Sequence, residues 1–143
     1  MEELVTLTET RYITAGDFNA AGQVSAHFKN LLKQLGINSA IIRKVSIVSY
    51  EAELNLTIHS FGGKMTLSVY PDRIWLYVSD TGPGIENIEL AMQKGYSTAS
   101  EEVRMLGFGA GMGFYNIERC TDILDIVSAL GEGTSITMGF NIA

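Results

Sequence analysis

The sequence predicts an α+β fold: a two-layer sandwich in which helices cover one face of a mostly antiparallel mixed sheet. Three observations support this class. One strand pattern comes first, two amphipathic helical stretches follow it, and a strand-turn-strand pattern then occurs twice. Grouped helices and hairpins, unlike a strict alternation of strands and helices, favour antiparallel pairing. The length of 143 residues is enough for one domain with its own core, expected to span residues 1–143.

The first half of the chain is predicted to form one strand and two helices. Residues 3–14 alternate hydroxyl-bearing and apolar side chains, which is typical of an edge strand. Apolar residues recur at three- and four-residue steps over 18–35, and this spacing predicts an amphipathic helix. Asn38 is suited to cap a second helix, which is predicted to run to about His59.

The second half is predicted to contain two hairpins with helices between them. Residues 64–70 and 73–79 predict two strands joined at Pro71-Asp72, which is a turn sequence. The remaining predicted elements are a short helix at 86–93, a polar loop at 94–106, a helix at 114–120 and two strands at about 121–130 and 134–142.

Composition excludes several classes of partner. A formal net charge of −6 and a pI near 4.8 argue against nucleic acid or an anionic membrane surface as the main partner. The single cysteine, Cys120, permits no internal disulfide and fits a reducing cytosol. No signal-peptide pattern follows Met1, and no apolar stretch approaches the roughly 20 residues of a membrane span. We therefore expect a cytoplasmic protein.

A run with glycine at every second position, Gly107-Phe108-Gly109-Ala110-Gly111-Met112-Gly113, comes just before the predicted helix at 114–120. Glycine weakens helices and strands and buries little surface, so this run indicates a loop that lies against a bulky ligand. Free N–H groups at a helix N-terminus bind anions, and phosphate is the expected ligand. The spacing does not fit G-x-G-x-x-G, and no G-K-[ST] follows a glycine loop.

A second motif, Asp80-Thr81-Gly82-Pro83-Gly84, ends the predicted strand at 73–79. A carboxylate at this place can accept a hydrogen bond from an exocyclic amine, while the glycines let a flat ring approach the backbone. An aspartate that only opens a turn is the alternative for Asp80 considered alone. The later glycine run makes a nucleotide site the better interpretation.

Helical spacing predicts that Glu51 and Asn55 lie near each other on the second helix. At about 100° per residue, Asn55 continues an apolar stripe and Glu51 lies on its flank, whereas Glu53 points nearly the opposite way and is the poorer candidate. The stripe consists of Ile41, Val45, Val48 and Ala52. Around Mg²⁺, Asn55 would supply a neutral oxygen and Glu51 would orient or deprotonate a nucleophile. An ordinary polar helix face is the alternative at this point.

Three other side chains are interpreted as structural. His59, one turn beyond Asn55, is expected to cap the helix end or to pack there, and a role as a catalytic base is the less favoured interpretation. Cys120 is expected to be a packed helical thiol, and Trp75 is expected to lie in the core.

The three motifs occur in the order found in the Bergerat-fold ATPases, which the chain resembles over nearly its full length. That superfamily includes type II topoisomerases, histidine kinases, a heat-shock chaperone and mismatch-repair ATPases. Within it, the chain looks most like the small bacterial anti-sigma-factor serine/threonine kinases of partner-switching pathways, and particularly the stressosome switch kinase. The similarity is strongest over 91–99, 107–113 and 116–120.

The resemblance implies roles for the matching positions. Asn55 would hold Mg²⁺, Asp80 would bind the adenine amine of ATP with support from Thr134, and Glu51 would be the general base toward a substrate serine or threonine. The glycine run and a lid from Lys94 to Arg104 would enclose the phosphates. The expected nucleotide-binding residues are Asn55, Asp80, Gly82, Gly84, Ile85, Lys94, Ser97, Thr98, Gly107, Phe108, Gly109, Ala110, Gly111, Met112, Gly113 and Thr134.

Three functions stay open on this basis. The leading hypothesis is a kinase that phosphorylates a small anti-sigma-antagonist-type protein, with a sigma factor or a phosphatase activated by binding as further partners and a homodimer as one assembly. The second is an ATP-gated binding protein with little kinase activity, and the third is a domain that phosphorylates histidine on another chain. Leu54 and Leu56 stand beside Asn55, where smaller or more polar residues are expected in such kinases.

Overall fold

Five antiparallel strands form one open sheet in the computed structural model, which describes residues 5–60, 62–82 and 113–142. The strands are β1 (Leu7–Ile13), β2 (Gly63–Val69), β3 (Arg73–Asp80), β4 (Ile123–Ala129) and β5 (Gly133–Asn141). Their order across the sheet is β1-β2-β3-β5-β4, and all four pairings are antiparallel. β1 lies at an edge of the sheet, as its sequence pattern predicts. The α+β class is confirmed.

Three described helices cover one face of this sheet: α1 (Gln23–Gln34), α2 (Ser39–His59) and α3 (Gly113–Cys120). α2 is the central helix, and both α1 and α3 pack against it. It begins as predicted, because the Asn38 side chain accepts a hydrogen bond from the Ala40 N–H at 2.8 Å. None of the three combines the length and apolar character that a membrane span needs. The predicted helix at 86–93 and loop at 94–106 fall outside the described residues.

The hydrophobic core lies between the helices and the sheet. On β2, β3 and β5 every second side chain points toward the helices, because successive residues of a strand face opposite sides. Fully buried members include Met65, Leu67, Ile74, Leu76 and Met138, which meet Leu56 and the stripe formed by Val45, Val48 and Ala52 on α2. The predicted stripe on α2 is therefore confirmed as a core-facing surface, and Cys120 packs at the edge of the same core.

The prediction that Trp75 lies in the core is wrong, because Trp75 lies on the face of the sheet that the described helices do not cover. Ile74 and Leu76 occupy the core face of β3, so the residue between them must point the other way. There Trp75 stacks on Tyr77 with a ring-centroid distance of 6.2 Å, and the Arg73 guanidinium lies 5.4 Å from the Trp75 ring centre. The sequence alone does not show which face of β3 points to the core, because apolar residues occupy both faces of this strand.

α1 begins later than its periodicity predicts. Residues 17–22 form turns, and Gly22 has a positive φ of 95°, so the helix starts at Gln23 and not at residue 18. The cause is a contact between helices. The side chain of Glu53 on α2 accepts hydrogen bonds from the N–H groups of Gly22 at 2.9 Å, Val24 at 3.3 Å and Ser25 at 2.9 Å. A glutamate from a neighbouring helix thereby satisfies the free donors that begin α1.

Candidate nucleotide-binding site

The described residues predicted for the site come from α2, the end of β3, the start of β5 and the start of α3. Glu51 and Asn55 lie one turn apart on α2, and both are half-buried. Asp80 is the last residue of β3, Thr134 is the second residue of β5, and Gly113 begins α3. The structure brings Asp80 together with Thr134 and brings Glu51 together with Gly113.

Asp80 is held by the main chain of β5. The N–H of Thr134 donates to Oδ1 of Asp80 at 2.8 Å, which fixes the carboxylate at the end of its strand. Burial raises the pKa of Asp80, and the hydrogen bond from Thr134 lowers it in part. The hydroxyl of Thr134 instead lies 2.9 Å from the Ser128 hydroxyl, so Thr134 supports Asp80 through its backbone. Ser128 is a neighbour that sequence reasoning did not identify.

Two glycines lie close to Asp80. Gly133 has a positive φ of 127°, and a Cβ atom built there would overlap the Asp80 carbonyl group. A Cβ on Gly82 would lie 3.2 Å from Cα of Ser60 and 3.5 Å from Oδ1 of Asp80. The position of Gly133 therefore requires glycine, because its φ is positive and a Cβ there would overlap Asp80, whereas a Cβ on Gly82 would only crowd Ser60. The motif pointed to Gly82, whereas the need for Gly133 depends on a contact between distant strands.

The Glu51 side chain lies against residues of α3. Nδ2 of Asn116 donates to Oε1 of Glu51 at 3.3 Å, and a Cβ on Gly113 would lie only 3.4 Å from Oε2. Burial raises the pKa of the Glu51 carboxyl, and the Asn116 hydrogen bond partly opposes this shift. A half-buried carboxylate with a raised pKa is a stronger base than a free one, and general-base catalysis needs this property.

The two leucines beside Asn55 point away from this surface. Leu56 is completely buried and Leu54 is only 9% exposed. Cδ2 of Leu56 would lie 3.0 Å from a Cβ on Gly63, which places the leucine against β2. These side chains fill the interior on the other sides of α2, and Asn55 itself stays half-buried. The departure from smaller residues thus has a packing reason.

Several predicted positions lie outside the described residues. They are Gly84, Ile85, Lys94, Ser97, Thr98, Gly107, Phe108, Gly109, Ala110, Gly111 and Met112, together with the side chain of His59. In the described ranges, no three His, Cys, Asp or Glu side chains come together as a metal cluster. Mg²⁺ usually takes one or two oxygen ligands from the protein and the rest from phosphates and water. The amide oxygen of Asn55 is a donor of this kind.

Sequence reasoning missed the roles of Glu53 on α2 and of Asn116 on α3. The expectation that Glu53 faces away from Glu51 is confirmed, since one binds α1 and the other is bound by α3. The role of Glu53 as a hydrogen-bond acceptor for α1 depends on residues 28 to 31 positions earlier in the chain. Helical spacing cannot reveal contacts between residues that far apart. A polar residue in the first turn after the glycine run was the available signal for Asn116.

The described residues form an open antiparallel sheet packed against helices, an α+β fold that is consistent with the ATPase family that the chain matches. Residues 40–143 match the family described as the histidine kinase-, DNA gyrase B-, and HSP90-like ATPases, and the chain belongs to this family. Membership of an ATPase family implies that the chain binds ATP.

The similar proteins include kinases and anti-sigma factors. Serine/threonine-protein kinase RsbT of Bacillus subtilis is 28% identical over 130 residues, which cover 88% of this chain and 90% of that protein. The anti-sigma F factor of Caldanaerobacter subterraneus is 36% identical over 93 residues, or 62% of each chain. That of Clostridium acetobutylicum is 37% identical over 102 residues, or 68% of each chain. The resemblance to small bacterial anti-sigma-factor kinases is therefore confirmed.

Proposed function

We propose that the protein is an ATP- and Mg²⁺-dependent serine/threonine kinase whose substrate is a small regulatory protein of the anti-sigma-antagonist type. The observation that supports this activity is the environment of the Glu51 carboxylate. Its carboxylate is half-buried, has a raised pKa and is held by Asn116 at the helix that begins with the last glycine of the glycine run. The similarity to a protein named as a serine/threonine kinase supports the same activity.

Each residue has a separate task in this proposal. Asp80, oriented by the Thr134 N–H, accepts a hydrogen bond from the adenine amine. Asn55 would hold Mg²⁺ through its amide oxygen, and the metal ion would supply charge neutralisation on the phosphates. Glu51 accepts the proton of the substrate hydroxyl while the hydroxyl oxygen forms its bond to the γ-phosphorus and ADP leaves. Positioning and charge, more than covalent chemistry, supply the catalysis.

A second function has its own support. Several similar proteins are named anti-sigma F factors, a name that describes binding and not transfer. An ATP-gated binding protein, acting as an anti-sigma factor or as an activator of another enzyme, would use Asp80 in the same way but would not need a base at Glu51.

Labelled ATP separates the two functions. The purified full chain is incubated with γ-labelled ATP, Mg²⁺ and a lysate of its host, beside Glu51→Gln and beside Glu118→Gln as a matched control. Glu118 lies on α3 but is exposed, so its amide variant tests the loss of one acidic charge in the same region. The kinase proposal expects an acid-stable small labelled band in the wild type and in Glu118→Gln, and a band at least about 100-fold weaker in Glu51→Gln.

Other results assign other functions. An acid-labile band would indicate phosphohistidine and a histidine kinase acting on another chain. If no band forms while ATP still binds, and Asp80→Asn abolishes that binding, the ATP-gated binding protein becomes the supported function. A labelled band of equal strength in Glu51→Gln would exclude Glu51 as the base.

A further inference from the structure

Asn116 is the described side chain of α3 that donates a hydrogen bond to Glu51. The two residues are 65 positions apart, and the contact joins α3 to α2 through Nδ2 of Asn116 and Oε1 of Glu51 at 3.3 Å. Only the NH₂ group of an asparagine can donate to a carboxylate, so the contact also fixes which way the Asn116 amide is turned. Asn116 lies in the first turn of α3, three residues after Gly113.

The contact restrains a side chain that α2 alone leaves free to turn. A glutamate has three rotatable bonds, and its backbone position determines the reach of the carboxylate but not its direction. Here Oε1 meets the Asn116 amide, while Oε2 lies beside Gly113, which has no side chain to fill the space. The restraint on Oε1 comes from α3. The direction of the Glu51 carboxylate is thus set by the helix that begins at the end of the glycine run.

The contact has few features of a purely structural link. The neighbouring Glu53 is 1% exposed and makes three backbone contacts to α1, which is a rigid arrangement. Glu51 is half-exposed to solvent, and among the described residues it accepts the longer contact from Asn116. Single contacts at such solvated carboxylates contribute little to folding stability. The contact with Asn116 therefore affects the orientation of the Glu51 carboxylate more than the stability of the fold.

We infer that Asn116 is a positioning residue that orients the Glu51 carboxylate toward the substrate hydroxyl and fixes the base to the helix after the glycine run. The inference rests on the proposed kinase function. It adds a residue that acts through Glu51 and touches neither ATP nor the hydroxyl that is phosphorylated.

The test compares Asn116→Leu, which has similar size and no donor, with Asn30→Leu. Asn30 is an exposed asparagine on α1 and gives a matched control for the same chemical change in a helix. Transfer is followed with γ-labelled ATP and the small labelled partner from the host lysate. We expect kcat to fall by about tenfold in Asn116→Leu, with KM for ATP unchanged, since only the orientation of the base is lost. Asn116→Gln, which keeps an amide donor, should restore part of kcat.

Two further readouts distinguish positioning from a general loss of structure. In a Glu51→Gln background, Asn116→Leu should lower the residual rate no further, because it acts through Glu51. By carboxyl NMR of the uniformly labelled full chain, with the Glu51 signal assigned from Glu51→Gln, the titration of Glu51 should move to higher pH in Asn116→Leu and stay in place in Asn30→Leu.

The outcomes separate the inference from the kinase proposal. If transfer is active and both the rate and the Glu51 titration of Asn116→Leu match Asn30→Leu, the positioning role is overturned and the kinase stands. If the Glu51 titration moves but the wild type transfers no phosphate, the contact is supported and the kinase proposal fails. If Asn116→Leu does not fold, Asn116→Gln and Asn116→Asp are compared, and equal rates in these two would overturn the inference.

Discussion

Glu51 and Glu53 stand two residues apart on α2, and their surroundings could hardly differ more. Glu53 is buried and accepts three N–H bonds from the start of α1. Glu51 is half-exposed, has a raised pKa and, in the part of the chain that the structure describes, accepts a hydrogen bond from Asn116 on α3. About 200° of helical rotation separates them, so each faces a different neighbouring helix. The comparison teaches that partners and burial, not residue type, decide whether a carboxylate serves the fold or is available for chemistry.

The largest expected effect is on stability, at Glu53. Glu53→Leu leaves the N–H groups of Gly22, Val24 and Ser25 without their acceptor in a buried place, at an expected cost of about 3 kcal/mol in the free energy of unfolding. Urea unfolding followed by circular dichroism measures this change. Glu53→Gln keeps one acceptor oxygen and should lose less.

The exposed Glu118 provides the control for this experiment. Glu118→Leu removes the same charge and adds the same side chain at the surface of α3, and should change stability by less than about 0.5 kcal/mol. Equal unfolding midpoints for Glu53→Leu and Glu118→Leu would show that the bonds to α1 do not stabilise the protein, and the contrast between the two glutamates would be lost.

The second expected effect is on rate, at Glu51. Glu51→Gln keeps the shape and an oxygen that can accept from Asn116, but it cannot take a proton. We expect phosphate transfer to fall at least about 100-fold, while stability changes by less than about 0.5 kcal/mol. Initial rates with γ-labelled ATP and unfolding curves of the same preparation measure both quantities. A variant that loses stability and rate together would make Glu51 a structural residue like Glu53.

The sequence was sufficient for the features that depend on local spacing. Strand alternation, hairpin turns and the Asn38 cap predicted the order of the described elements, and helical rotation placed Glu51 and Glu53 on different sides of α2. The motif at Asp80 likewise sits at the end of its strand, as predicted. Each of these predictions uses residues that are close together in the chain.

The features that could not be predicted depend on distant residues. The apolar periodicity predicts that the first helix begins at residue 18, but residues 17–22 form turns. α1 begins at Gln23, where the Glu53 side chain accepts hydrogen bonds from the N–H groups of Gly22 and Ser25. Asn116 and Gly133 acquire their importance only because α3 meets α2 and β5 meets β3. Spacing gives the face of an element but does not say which partner covers it.

The smallest expected effect is the pH dependence at Glu51, where rate and stability should change in opposite directions. The pKa of Glu51 lies above the ordinary value of 4.5, chiefly because of burial. The folded chain therefore binds this proton more tightly than the unfolded chain. The stability contribution of Glu51 is fully present at low pH and is lost as pH rises through its folded pKa. Transfer needs the ionised base, so the rate should rise over the same pH range.

Parallel pH titrations of rate and unfolding free energy, each measured as wild type against Glu51→Gln, test this reciprocity. The stability difference should stay below about 0.5 kcal/mol, since water screens a half-exposed carboxylate. The rate should have its midpoint at the folded pKa of Glu51, above 4.5, while the stability difference should fall between 4.5 and that pKa. A rate midpoint at or below 4.5 would mean that another group limits the rate at low pH. A stability difference that falls with pH while the rate rises would show that the ionised Glu51 carboxylate, which transfer needs, is also the less stable form in the folded protein.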